Sequence, residues 1–233
     1  MKGGRKMDKR GIKMWFGKQL KNYVKLAQIH GLDAAVIEKL KVAIKDTIFQ
    51  RLGPIMEPES EQSILKTMTH GDVWVNNMLF SSADPEDSNL TVTLLDFQLL
   101  CLSHPAKDIW YLLYINVDKE FRDAHLQTVL KEYHQELSKY LLQEKVSITY
   151  EEFFIEISPL RAPMALLFAQ MVLFVALCPE PLGFGTFSEM KQFGETCKNL
   201  LTSEPKDTDD PIVVEIRRRI LGNITELYNE NLL

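Results

Sequence analysis

Apolar positions recur at helical spacing over most of the chain. Between Leu32 and Leu52 they fall at 32, 36, 40, 44, 48 and 52, which predicts a one-faced helix stopping at Gly53-Pro54. Pro105–Val117 reads as a helix opened by its proline. Phe121–Leu141 sets Leu126, Leu130, Tyr133, Leu137 and Leu141 on one face. Thr149-x-x-Glu152 and Thr186-x-x-Glu189 are capping-box patterns for two further helices. Asp210-Pro211 opens a last one, with Val213, Ile216, Ile220, Ile224 and Leu227 along its stripe. The period changes once. Met78-Leu79-Phe80 is a short apolar run, SSADPEDSN is a loop of turn formers, and residues 90–95 set Leu90, Val92 and Leu94 on one side with Thr91 and Thr93 opposite. Two strands joined this way make an antiparallel hairpin, so the expected fold class is α+β, predominantly helical, with one small hairpin.

Composition narrows the class. The 233 residues are 45% apolar and 25% charged with a formal charge of −5, the balance of a globular protein without the broad basic face of a nucleic-acid binder. Three cysteines, Cys101, Cys178 and Cys197, show no C-x-x-C pairing, which suits a reducing compartment. The longest apolar run, Met164–Cys178, is bracketed by prolines and falls short of the roughly 20 residues of a membrane span, so a cytoplasmic location is expected. Residues 1–25 hold nine Lys or Arg against one Asp, leaving a net −13 on the remainder. With Trp15, Phe16, Leu20, Tyr23 and Val24 among its lysines, this stretch is read as a solvated first helix, the alternative being a membrane-surface or partner-binding helix. Residues 1–31 form a basic, helical N-terminal segment and residues 32–233 the main body.

The chemistry concentrates in His70-Gly71-Asp72-Val73-Trp74-Val75-Asn76-Asn77 and, beyond the hairpin, Leu95-Asp96-Phe97-Gln98. Asn77 stands directly before the first strand and Asp96 directly after the second. In an antiparallel pair those positions share one end, so an amide oxygen and a carboxylate meet there, with Asp72 on the preceding loop beside them. Two oxygen donors that leave room for water and phosphate suit Mg²⁺, which takes few protein ligands. A further carboxylate kept off the metal can orient an acceptor hydroxyl and take its proton.

At these residues the chain resembles the kinase-like phosphotransferases of small molecules, and most closely the ecdysteroid kinase-like family. HGDVWVNNMLF and LLDFQ are similar to that family's catalytic-loop and metal-loop motifs, and SHPAKDIWYLL to the segment that follows. The resemblance implies Asp72 as catalytic base, Asn77 and Asp96 as Mg²⁺ ligands, His70 as a support for the loop, and Asp108 as a structural carboxylate near a helix start. It also implies ATP as donor and a small-molecule alcohol as acceptor. A catalytic core over 68–117 and a helical remainder over 118–233 follow from the same comparison.

Bland readings hold elsewhere. His125 and His134 have no ligand partners in sequence, and Trp110, Tyr111 and Tyr114 at spacings of one to four pack a helix rather than form a cage. Trp74 either lines an acceptor pocket or packs against the next helix. Nothing cationic adjoins Cys101 in sequence to make it reactive.

Only 69 residues precede His70, and they show neither a glycine-rich strand turn nor a strand lysine. The expectation is the C-terminal lobe of a protein kinase-like fold without its N-terminal nucleotide lobe, binding nucleotide weakly and turning over little or not at all alone. The alternative is a non-catalytic single lobe that binds a partner or small molecule on the exposed inter-lobe face.

Overall fold

The computed structural model describes residues 9–47, 65–82, 90–167, 187–206 and 209–233. Contacts divide the chain into two units, one formed by residues 1–50 and 166–233 and the other by residues 51–165.

The first unit is helical: α1 (Lys9–Ile29), α2 (Ala34–Val42), α6 (Phe187–Thr202) and α7 (Pro211–Asn229). Leu20, Tyr23, Leu26 and Ala27 bury one side of α1, which packs against α2, α6 and α7. Gly31, at φ 66°, ends α1, where the Leu32 N–H reaches back to the Ala27 carbonyl. Asp33 then caps α2 by accepting from the Ala35 N–H at 2.7 Å. The predicted helix from Leu32 therefore begins two residues late, because Gly31 and Asp33 spend Leu32 on the turn. It passes into a wider turn over Ala43–Thr47, and its predicted end at Gly53-Pro54 lies outside the described residues. Thr186 of the second capping pattern lies outside them too.

Asp210 caps α7 through the Ile212 N–H, and all five predicted stripe residues are buried. Arg217 is buried beside them, its guanidinium donating to Asp209, the Leu200 carbonyl and Ser203. One cation thus closes the carbonyl end of α6 onto α7.

The second unit carries the strands. β1 (Thr67–Thr69) pairs antiparallel with β4 (Cys101–Ser103), and β2 (Met78–Ser81) with β3 (Thr91–Leu94). The second pair is the predicted hairpin, with Met78 opposite Leu94 and Ser81 opposite Thr91. The first pair lies outside the expectation of a single hairpin. Its strands are three residues each, too short to show alternation, and they enclose the hairpin in sequence. That nesting brings Thr69, just before His70, opposite Cys101. The alternation of β3 finds no covered face: Leu79, Phe80, Val92 and Leu94 are all exposed.

Helices α3 (Ala106–Ile115), α4 (Lys119–Gln143) and α5 (Tyr150–Ile157) follow. Pro105 directly precedes α3. Asp118 caps α4, and Thr149 with Glu152 forms the full reciprocal box at α5. The aromatic stripe of α3 is core. Trp110 donates its indole N–H to the Ile157 carbonyl at 2.9 Å, and the Tyr114 hydroxyl accepts from Arg161 at 2.8 Å. Arg122 lies 4.3 Å from the Tyr114 ring centre and donates to the carbonyls of Leu113 and Val117, so its buried charge is compensated. His134 bonds the Ile148 carbonyl and His125 lies at the surface, as structural residues. No helix among the described residues is long and apolar enough to cross a membrane.

Candidate functional site

The loop between β1 and β2 is held from one side by α3. Asp108, in the first turn of that helix, accepts from the backbone N–H of His70 at 2.6 Å and of Gly71 at 2.9 Å. Gly71 has φ 82°, a conformation glycine adopts freely, and a Cβ there would meet the Leu99 carbonyl oxygen at 2.9 Å. At the other end of the loop Asn116 accepts from the Val75 N–H at 2.7 Å and donates to the Val73 carbonyl at 3.0 Å. Asp108 and Asn116 thus bracket the whole turn.

Inside the bracket, Asp72 and Asn77 touch. The Asn77 amide nitrogen donates to the Asp72 backbone carbonyl and to its Oδ2, each at 3.0 Å. Both acceptors demand the NH₂ end of the amide, which leaves Asn77 Oδ1 without a partner among the described residues. The other carboxylate oxygen of Asp72 accepts from the Tyr111 hydroxyl at 2.6 Å. Tyr111 is buried, and burial first, then its bond to Asp72 and the charges of Asp72 and Asp108, raise its phenol far above the ordinary range.

His70 joins this loop to the end of the hairpin. Its Nδ1 faces the Asp72 N–H at 3.3 Å, which can only donate, so the ring proton is assigned to Nε2, which donates to the Leu95 carbonyl at 2.8 Å. Phe97 packs on the same ring at 4.8 Å. The Leu95 N–H in turn donates to the Asn77 carbonyl at 2.9 Å, extending the hairpin register by one bond. Asp96, the next residue, has φ 58° and ψ 67°, a left-handed conformation that turns the chain out of β3. Its carboxylate is exposed and, among the described residues, accepts only from Gln98, at 3.2 Å. The backbones at Asn77 and Asp96 are therefore adjacent, while the Asn77 amide contacts Asp72 and not Asp96.

No group of three or more His, Cys, Asp or Glu able to hold a metal occurs among the described residues. Asn77 Oδ1 and the exposed Asp96 carboxylate are oxygen donors at this end of the hairpin that could hold a cation. So few protein oxygens are chemically compatible with Mg²⁺, which keeps most of its water or takes phosphate oxygens.

The structure corrects the reading of Cys101. Lys107 Nζ lies 3.6 Å from its Sγ, because the chain turns back at Pro105 between β4 and α3. Tyr111 and Asn116 escaped the sequence reading as loop contacts. The signal was present: Tyr111 stands one turn after Asp108, so the two share a side of α3. Trp74 is partly buried, with an indole N–H that meets no hydrogen-bond acceptor among the described residues.

The sequence model of the ecdysteroid kinase-like family matches residues 6–146, more than half of the chain and the whole of this loop system. The chain belongs to the ecdysteroid kinase-like family. No curated protein and no solved structure matches it significantly. Membership in the ecdysteroid kinase-like family carries the general kinase-like character expected from the motifs, and the mostly helical fold with two small sheets accords with it.

Proposed function

We propose that this chain is a small-molecule phosphotransferase that uses ATP and Mg²⁺ to phosphorylate an alcohol. The observation that carries the reading is the Asp72–Asn77 contact, which holds a carboxylate and turns an amide oxygen away from it in one step. Asp72 is then the base, able to take the proton of an acceptor hydroxyl. Asn77 Oδ1 and Asp96 are the residues that would hold Mg²⁺, which when bound neutralises charge on the phosphates. His70 and Asp108 act on the backbone: one ties the loop to Leu95, the other to α3. Oriented this way, Asp72 needs no rearrangement to meet its substrate, the source of much of the rate in phosphoryl transfer.

Calorimetry with Mg·ATP tests it. Binding heat in the wild-type chain that is lost in Asp96→Ala is the expected result. Equal heats in both proteins would count against a metal site at Asp96.

A second reading is favoured by one specific observation. Leu79, Phe80, Leu90, Val92, Phe97, Leu99 and Leu102 are all about half exposed, in a short stretch of chain around the hairpin. An apolar surface of that kind recruits partners. A non-catalytic binding protein would present it without needing Asp72, so retention of partner binding in Asp72→Asn would separate the two readings.

A further inference from the structure

We propose that Tyr111 is the positioning residue of Asp72: its buried phenol, with Asn77, fixes the plane of the carboxylate and leaves a free lone pair on each oxygen for the acceptor. This rests on the reading of Asp72 as the base.

The geometry is specific. A carboxylate offers about four acceptor directions. The Tyr111 hydroxyl takes one on Oδ1 at 2.6 Å, and the Asn77 amide takes one on Oδ2 at 3.0 Å. With one donor on each oxygen, rotation about the last side-chain bond would break both hydrogen bonds. The loop backbone is already anchored next door, since Asp108 holds the N–H groups of His70 and Gly71. Asp108 and Tyr111 thus secure three consecutive residues from one side of α3, two through the backbone and the third through its side chain.

Packing alone does not account for the hydroxyl. Phenylalanine would fill the same space, and an unpartnered buried hydroxyl would cost stability. The neighbouring aromatics of α3 send their polar atoms elsewhere, Trp110 to the Ile157 carbonyl and Tyr114 to Arg161, whereas Tyr111 reaches the loop. A phenol raised by burial and by two carboxylates keeps its proton at any working pH, so it is a permanent donor.

Proton NMR on the full chain, labelled at tyrosine and at aspartate carboxyl carbons, tests this without nucleotide. A slowly exchanging hydroxyl signal is expected, lost in Tyr111→Phe and moved upfield in Asp72→Asn. The Asp72 carboxyl signal should shift in Tyr111→Phe and stay in place in Tyr114→Phe, which removes an equally buried hydroxyl from a different partner. A hydroxyl signal indifferent to Asp72→Asn, or an Asp72 carboxyl signal indifferent to Tyr111→Phe, overturns the proposal. Should Tyr111→Phe fail to fold, the Asp72→Asn comparison still decides. Calorimetry adds a control: Tyr114→Phe, whose hydroxyl bonds Arg161 and not the loop, should keep the wild-type heat with Mg·ATP. Absence of heat in the wild type would defeat the metal reading, while the hydroxyl signal still reports on Tyr111.

Discussion

Asp108 Oδ1 and the backbone N–H of Gly71 are hydrogen-bonded at 2.9 Å across 37 positions of sequence. The same carboxylate takes the His70 N–H through its other oxygen. A helix terminus and a loop are thereby joined by one side chain, and the loop's shape depends on it.

Asp108→Ala removes both acceptors and strands two N–H groups of a buried loop. The expected cost is about 3–6 kcal/mol, from the loss of two hydrogen bonds to a charged group. Denaturant unfolding reads the energy, and hydrogen exchange should speed up at His70 and Gly71 first. Asp108→Asn keeps one acceptor oxygen and is expected to cost less.

Glycine substitutions separate strain from collision. Gly31 and Gly71 both have positive φ, yet a Cβ at Gly31 meets nothing within 4 Å among the described residues while one at Gly71 meets Leu99. Gly31→Ala is expected to cost about 1–2 kcal/mol of backbone strain alone. Gly71→Ala should cost more and displace the turn at Phe97–Leu99. Thermal unfolding of the pair, with the chemical shift of Leu99, checks both statements.

Asn116 serves as donor and acceptor at once. Asn116→Asp keeps the acceptor for the Val75 N–H but sets a carboxylate against the carbonyls of Val73 and Leu112, which the amide nitrogen now serves. A loss of about 1–3 kcal/mol is expected, with faster exchange along residues 73–75. Unchanged stability would show that the bracket at this end of the loop is dispensable.

His104 predicts a pH dependence. It is buried, its Nδ1 accepts from the Ala106 N–H at 3.1 Å, and burial lowers its pKa against the opposing pull of Glu156 at 3.7 Å. The unfolded chain, with the ordinary value of 6.5, binds the proton more readily than the folded one. Its contribution to stability is therefore complete above pH 6.5 and is lost as pH falls toward the lowered folded value. Unfolding free energy measured from pH 7 downward should decline less steeply in His104→Gln than in the wild type.

Local signals in the chain were faithful where the cause was local. Asp210-Pro211 and Thr149-x-x-Glu152 open α7 and α5, because caps are made by residues two or three apart. The hairpin and the adjacency of Asn77 to the residue after β3 follow from strand pairing, which a turn-rich loop enforces. Cys101 shows where such reading stops: it has no cation beside it in sequence, yet Lys107 comes to it around a proline turn.

What the sequence by itself determined was the succession of the later helices, the caps at Thr149 and Asp210, the hairpin and the family to which its motifs belong. Tertiary structure alone decided that β1 and β4 pair, that Asp108, Tyr111 and Asn116 of the α3 region all grip one loop, and that the Asn77 amide turns to Asp72. The reason is one of range. Periodicity and capping act over one helical turn or one strand pair, whereas the contacts made by Asp108, Tyr111 and Asn116 span 37 to 43 positions and exist only once the chain has closed on itself.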